Sequence, residues 1–404
     1  MDMKRRELLG LGGVVLLAGC TSPRPVTKSQ PGDQPGELIV VSLRDGLAVL
    51  DSGTARRVAG GTLLTGNRLV DVDADGRVVV SDATTGVVVS ATAVRGRMRL
   101  AAVAPDASLV ALVDGNPAGR TETTIVVGGP TGERHRLTLP GFVQPEAFSS
   151  SGTELFVLDM LPPEHPDRYR VRVLDLAAGQ IKALNLPGEN AGLKVLVPEG
   201  AEEEMRGEGR QAVFDPGRER LFTLYSHQPD HQHVRDLLHP GARDGKPDVH
   251  AFVHTLSVRD GWAVCVDLPA AFGTGPVEGL TIAQSAEEVW VADAGKGVAA
   301  VIHADALVVM QELAFEPVAG RAALAAGVDN VHLAVGSRVL VFARDTKAHV
   351  ATWTLPADAR GIAVSSQHVY VGQPDAVLRI DPATGAVTGT VGVAGLGGVE
   401  RVIT

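Results

Sequence analysis

GIAVSSQHVYVGQPDAVLRIDPATGAVTGTV, Gly361 to Val391, is the stretch that decides the fold. It reads as an inner strand, a polar turn at Ser365-Ser366-Gln367, a strand from His368 to Gly372, a second strand from Ala376 to Ile380, a D-x-x-T-G turn, and an outer strand from Val387 to Val391. A four-stranded antiparallel sheet of this length cannot bury both faces alone. Copies must therefore stack face to face, and radial stacking of such sheets makes a β-propeller.

Working outward, eight segments occupy the second-strand position: ELIVVS from Glu37, RLVDVD from Arg68, SLVALVD from Ser108, ELFVLD from Glu154, RLFTLY from Arg220, EVWVAD from Glu288, NVHLAV from Asn330 and HVYVGQ from His368. Each is a β-branched or aromatic run bounded by turn residues. Hairpins of D-x-x-T-G character follow most of them, as at Asp82 to Gly86, Asp175 to Gly179 and Asp381 to Gly385. Glycine there supplies a positive φ, and the aspartate caps the amides of its own turn. The segment at Glu37 lacks an inner strand before it, while Val399 to Thr404 ends the chain without a partner. Pairing that last strand with the N-terminal blade closes the ring and removes both edges. The expectation is an all-β chain, one propeller of seven or eight four-stranded blades, eight by direct count, spanning residues 37–404.

These repeats resemble the YVTN-type repeats of bacterial surface and periplasmic propellers. His368-Val369-Tyr370-Val371-Gly372 comes nearest to the namesake tetrapeptide, and Glu288 to Asp293 is next. The resemblance implies seven blades and a surface or envelope binding role. It brings no shared catalytic residues.

Residues 1–19 read as an export signal: Lys4, Arg5 and Arg6 form a charged start, and Leu8 to Ala18 is an apolar run too short to span a bilayer. Leu17-Ala18-Gly19-Cys20 resembles the lipobox of bacterial lipoproteins, in which the cysteine is acylated and becomes the new N-terminus. An uncleaved signal helix with a chance cysteine is the other reading. The arginine pair in K-R-R-E-L-L-G also looks like a twin-arginine export signal, although Lys4, Leu8 and Gly10 depart from that family's preferences. Both the Sec and the twin-arginine routes stay open. Residues 20–36 then form a flexible tether with four prolines and no apolar period. More than one acyl chain, palmitate among them, anchors stably without a transmembrane helix. The resulting expectation is a lipid-anchored, extracytoplasmic protein on the outer face of the bacterial membrane or envelope, with a monomeric propeller domain.

Net charge is −10, and no basic stripe follows a phosphate backbone, which argues against nucleic acid as a partner. Cys20 and Cys265 are the two cysteines. With Cys20 acylated no internal disulfide forms, and Cys265 in a strand pattern from Trp262 to Leu268 reads as a buried inert thiol.

Two long intervals break the rhythm. Asn185 to Gly209 carries Glu199, Glu202, Glu203, Glu204 and Glu208 and reads as a solvated acidic loop. Gln228 to Ala251 interrupts the fifth blade, and half of all the histidines gather at it: His227, His231, His233, His239, His250 and His254. Within it His227, Asp230, His231 and His233 offer imidazole and carboxylate ligands for zinc, copper or nickel. Their spacing fits no standard zinc site and no cysteine ligand is near, so a solvated polar loop is the favoured reading. Asp71-Val-Asp73-Ala-Asp75-Gly76 looks like the opening of the calcium hairpins found in some propellers. The later carboxylate that such a hairpin wants is Val79, and Asp71, Asp73 and Asp75 equally form a solvent face leading into an Asp-Gly hairpin.

No G-x-S-x-G, H-E-x-x-H or phosphate-binding glycine loop is present, and no catalytic residue is assigned. Glu146, Asp159, Glu164 and Glu278 are scattered carboxylates that a central channel could collect. Trp262, Trp290 and Trp353 read as packing between blades rather than sugar platforms. Three functions stay open: a scaffold binding a protein, peptide or envelope ligand; a hydrolase or lyase with its site at the channel mouth; and a metal-binding protein using the histidine-rich insertion.

Overall fold

In the computed structural model the described residues are 36–114, 121–187, 195–206, 208–227, 231–239, 241 and 248–403. The export signal, Cys20, all but the last residue of the tether, and Asp230 lie outside them.

Eight four-stranded antiparallel sheets surround one axis. Their innermost strands are Gly398–Ile403, Leu63–Thr65, Met98–Val103, Phe142–Phe148, Glu208–Asp215, Leu280–Ser285, Ala322–Ala326 and Ile362–Val364, for blades one to eight in turn. All eight second-strand segments fall in that place, from Leu38–Leu43 in blade one to Val369–Gln373 in blade eight. Eight blades are thus observed, where the YVTN resemblance implied seven.

Ring closure follows the expected route. Gly398–Ile403 pairs antiparallel with Leu38–Leu43, in register from Leu38 opposite Ile403 to Ser42 opposite Gly398, with a bulge at Val40/Val41. The seam is also held from blade eight. Glu37 Oε2 accepts from the Tyr370 hydroxyl at 2.8 Å and lies 2.7 Å from His368 Nδ1.

The D-x-x-T-G turns work as their chemistry demands. Asp381 Oδ1 accepts from the amides of Ala383 and Thr384, both at 2.9 Å, and Gly385 sits at φ +72°. A Cβ on Gly385 would come within 2.3 Å of the Trp353 ring.

Each blade buries Val, Leu and Ala against the next, so the core is a series of interfaces between blades. A fully buried aliphatic or aromatic side chain contributes about 1.5–3 kcal/mol. Trp290 and Trp353 belong to these interfaces, while Trp262 is half-buried under the Arg220 guanidinium. Aromatics concentrate between blades four and five, where Phe142, Phe156, Tyr169, Tyr225 and Phe252 meet. Both long intervals return to that interface.

Candidate metal centre

Blade five ends in the strands Ala251–Ser257 and Ala263–Asp267, and their pairing sets His254 opposite Cys265 and Phe252 opposite Asp267. Alternation along a strand turns Cys265 and Asp267 to one face. The insertion after Ser226 passes over this face and runs into a short helix, Val234–Leu238. On the way it lays the His231 ring flat on Phe252, with centroids 4.5 Å apart and planes 18° apart. His233 stands edge-on to the same ring, and the two imidazoles are 4.6 Å apart.

The acidic interval supplies a fourth group. Glu203 Oε1 accepts from the Val234 amide at 2.6 Å, and its Oε2 accepts from the Cys265 thiol at 3.1 Å. Glu203, His231, His233 and Cys265 consequently offer ligand atoms that all lie within 4.8 Å of one another. It is the one such group among the described residues. Around a tetrahedral zinc with ligands at about 2.0–2.3 Å, donor atoms stand roughly 3.3–3.8 Å apart, so a contraction of about 1 Å completes the shell.

Two imidazole nitrogens here make no hydrogen bond, though His233 Nδ1 lies 3.8 Å from Glu203 Oε1. His231 Nε2 and His233 Nδ1 are buried and have no hydrogen-bond partner. The opposite side of each ring is fixed: the His231 ring bonds the backbone of Glu204, and His233 Nε2 lies 2.5 Å from Asp267 Oδ1. A carboxylate behind a histidine sets the tautomer and directs the free lone pair at a metal.

Burial favours the neutral form of two of the four donors. Burial first, and the neighbouring His233 second, push His231 down to about 3, so its ring is neutral at ordinary pH. Burial, followed by the charge of Glu203, pushes the Cys265 thiol well up. Burial alone would raise the Asp267 carboxyl, but His233 and Arg235 hold it at about 2. A metal there would displace the Cys265 proton, and the resulting thiolate together with the Glu203 carboxylate would carry two negative charges that a divalent cation cancels. Sulfur and imidazole donors suit zinc, copper or nickel and disfavour calcium and magnesium. A cavity of about 280 Å³, lined in part by His233, Cys265 and Glu203, extends from the cluster between Val171, Leu184 and Met205.

The structure therefore brings together His231 and His233 from the predicted set. His227 is diverted: its Nε2 bonds the Gly275 carbonyl at 2.8 Å and its Nδ1 lies 3.1 Å from Ser226 Oγ. Two sequence readings are corrected. A cysteine does stand near the histidines, since Cys265 lies with His231 and His233 where the insertion passes over its strand, and it is buried as its strand pattern predicts. The acidic interval is not simply solvated, since Glu203 turns inward.

Asp71, Asp73 and Asp75 do not converge on a common point. Asp73 Oδ1 accepts from the amides of Asp75 and Arg77, and its Oδ2 from Arg77 Nε at 2.8 Å; Asp75 pairs with the same guanidinium at 3.0 Å. Asp71 accepts from the Thr62 hydroxyl. Asp82, the next carboxylate along the chain, accepts from Thr84 and Thr85 and pairs with Arg68. Protein cations and amides thus take up the oxygens that calcium would need, and this is the hairpin reading. A cavity of about 690 Å³ runs along the inner strands of blades five to eight and one, with Arg321, Glu400 and Arg401 as its charged residues. Glu146 lies on the innermost strand of blade four, Phe142–Phe148, outside the lining of this cavity.

No protein-family model matches the chain, and no curated protein does. Solved structures similar to it include the dihydro-heme d1 dehydrogenase NirN in complex with DHE, 14% identical over 95% of this chain and 78% of that one, with a TM-score of 0.48. AztD from Citrobacter koseri is 11% identical over 90% of this chain and 96% of its own, with a TM-score of 0.48. The computationally designed Ika8 protein is 13% identical over 91% of each chain, with a TM-score of 0.47. Likeness at this level concerns the fold alone.

Proposed function

We propose that this protein is a lipid-anchored, extracytoplasmic propeller of the bacterial envelope, of YVTN-like repeat type, that binds one divalent transition-metal ion, zinc in the first place. The observation that carries the metal is the convergence of Glu203, His231, His233 and Cys265, with two buried imidazole nitrogens that make no hydrogen bond. Four protein donors leave no open coordination position, which favours holding an ion over hydrolysis. This narrows the general reading of a binding scaffold to one ligand. The anchor rests on the lipobox-like Leu17-Ala18-Gly19-Cys20 and the charged start before it, and the domain division at residues 19, 36 and 404 rests on the same reading. A protein or envelope polymer facing the anchored ring is the expected further partner, without nucleic acid, and the propeller itself is monomeric.

Elemental analysis of the untagged chain, purified without chelator, tests the metal. One equivalent of zinc in the wild type, lost in Cys265→Ser and His231→Ala, supports the reading. A folded wild type that neither carries zinc nor takes it up on addition overturns it. Mass spectrometry of the mature N-terminus tests acylation at Cys20.

A further inference from the structure

Glu203 sits between two glutamates that turn the other way. Along the arm formed by residues 195–206, Glu202 and Glu204 face the third strand of blade four, Arg168–Asp175, whose alternate residues Arg168, Arg170 and Arg172 form a row. Arg172 grips Glu202 through Nε at 2.7 Å and Nη2 at 2.5 Å, and Asp159 supports the same guanidinium at 3.3 Å. Arg170 donates to Glu204 at 2.9 Å, and Arg168 and Arg206 pair with it at 2.8 and 3.0 Å. The backbones of Tyr169 and Met205 exchange two hydrogen bonds, at 2.8 and 3.1 Å, which fixes the register of the two rows. Alternation then leaves Glu203 on the opposite side, toward Cys265.

The same short arm touches three of the four donors. It supplies Glu203, accepts from the Cys265 thiol, and holds the His231 ring through the Glu204 backbone. His233 and Cys265 are held instead by blade five, through Asp267 and the strand itself. The metal centre is thus divided between a fixed half on the blade and a half on an arm whose side chains are latched by ion pairs.

We infer that the arginine row of blade four is a latch that positions Glu203 and sets how tightly the ion is held; this rests on the metal reading above. With the latch closed, four donors meet. Loosening it withdraws one carboxylate and frees one imidazole while leaving the blade intact, a route for loading and unloading an ion buried between two blades. Arg172 is the positioning residue with most leverage, because its planar fork matches a carboxylate in two bonds.

Zinc competition against a chromophoric chelator tests this on the full chain, using wild type, Arg172→Gln, Glu203→Gln and the double variant, with the melting temperature of each metal-free form measured in parallel. Expected are a 10- to 100-fold weakening in Arg172→Gln, the usual range for residues behind metal ligands, a metal-free melting temperature within a few degrees of wild type, and a double variant weaker than Glu203→Gln by far less than the single effect of Arg172→Gln. Wild-type affinity in Arg172→Gln, or losses that multiply in the double variant, overturns the latch while leaving the metal site standing. Absence of zinc binding in the wild type overturns both. Arg170→Gln, which loosens the same row at Glu204, must weaken zinc as well.

Discussion

His233 Nε2 and Asp267 Oδ1 lie 2.5 Å apart, and Arg235 bonds the other oxygen of the same carboxylate. With the proton held on Nε2 by this carboxylate, Nδ1, which makes no hydrogen bond, is the nitrogen left for the proposed metal. Asp267→Asn keeps the shape and removes the charge that fixes this tautomer. We predict a zinc affinity 10- to 100-fold below wild type with little change in the metal-free fold, read by chelator competition and circular dichroism.

Removing the ion tests which of the two candidate metal sites is real. An ion bound to the native state alone stabilises it by about 4 kcal/mol at a thousand times its dissociation constant. EDTA should therefore lower the melting temperature of the wild type, and zinc, not calcium, should restore it. Asp73→Ala should leave the zinc response unchanged, since its carboxylate is occupied by Arg77 and by amides of its own turn. A calcium response abolished by Asp73→Ala would contradict this assignment.

His332 is a different kind of buried histidine. Neither ring nitrogen has a hydrogen-bond partner, Trp353 lies 5.3 Å away between ring centroids, and burial pushes its pKa down to about 4. Folded, the ring stays neutral until about pH 4, whereas in the unfolded chain it takes a proton near 6.5. Between those values the unfolded state binds the extra proton. The stability tied to this ring is then full above 6.5 and falls as pH drops toward 4, by about 3 kcal/mol in all. His332→Leu should flatten that slope and raise stability at pH 5, by urea denaturation at a series of pH values. Parallel slopes for variant and wild type would rule the mechanism out.

At the seam, Gly361 adopts φ +79°, and a Cβ there would lie 2.2 Å from the Val399 carbonyl oxygen. Backbone cannot yield as a long side chain does. Gly361→Ala should cost about 2–3 kcal/mol through strain and displacement of the closing strand, measured as a lower denaturation midpoint. An unchanged midpoint would mean that the seam tolerates the shift.

The fold was legible because its signals are local. A strand, a turn aspartate and a positive-φ glycine each announce themselves within a few residues, and eight copies leave a ring as the way to hide their faces. Half of the candidate metal centre was legible for the same reason, His231 and His233 being two residues apart. The other half was not. Cys265 lies with the histidines because the insertion passes over its strand, and Glu203 differs from Glu202 and Glu204 only by the side of the arm it occupies. The alternation Arg168-x-Arg170-x-Arg172 opposite Glu202-Glu203-Glu204 was the signal that could have singled out Glu203. Conversely, Asp71, Asp73 and Asp75 offered a local pattern that Arg77 and Thr62 fill, and the carbonyl that diverts His227 lies 48 residues away.

The strands that close the ring join residues 356 positions apart, as Ser42 and Gly398 do. Contacts between such distant parts of a chain form late, after the nearer ones have shortened the loop. The metal ligands, by contrast, all fall between Glu203 and Cys265. Blades four and five with their two excursions can therefore fold as a unit and take up an ion while the first and last blades still have open edges. The order of assembly would be ion first and ring second, with the bound metal acting as an early nucleus for the remaining blades.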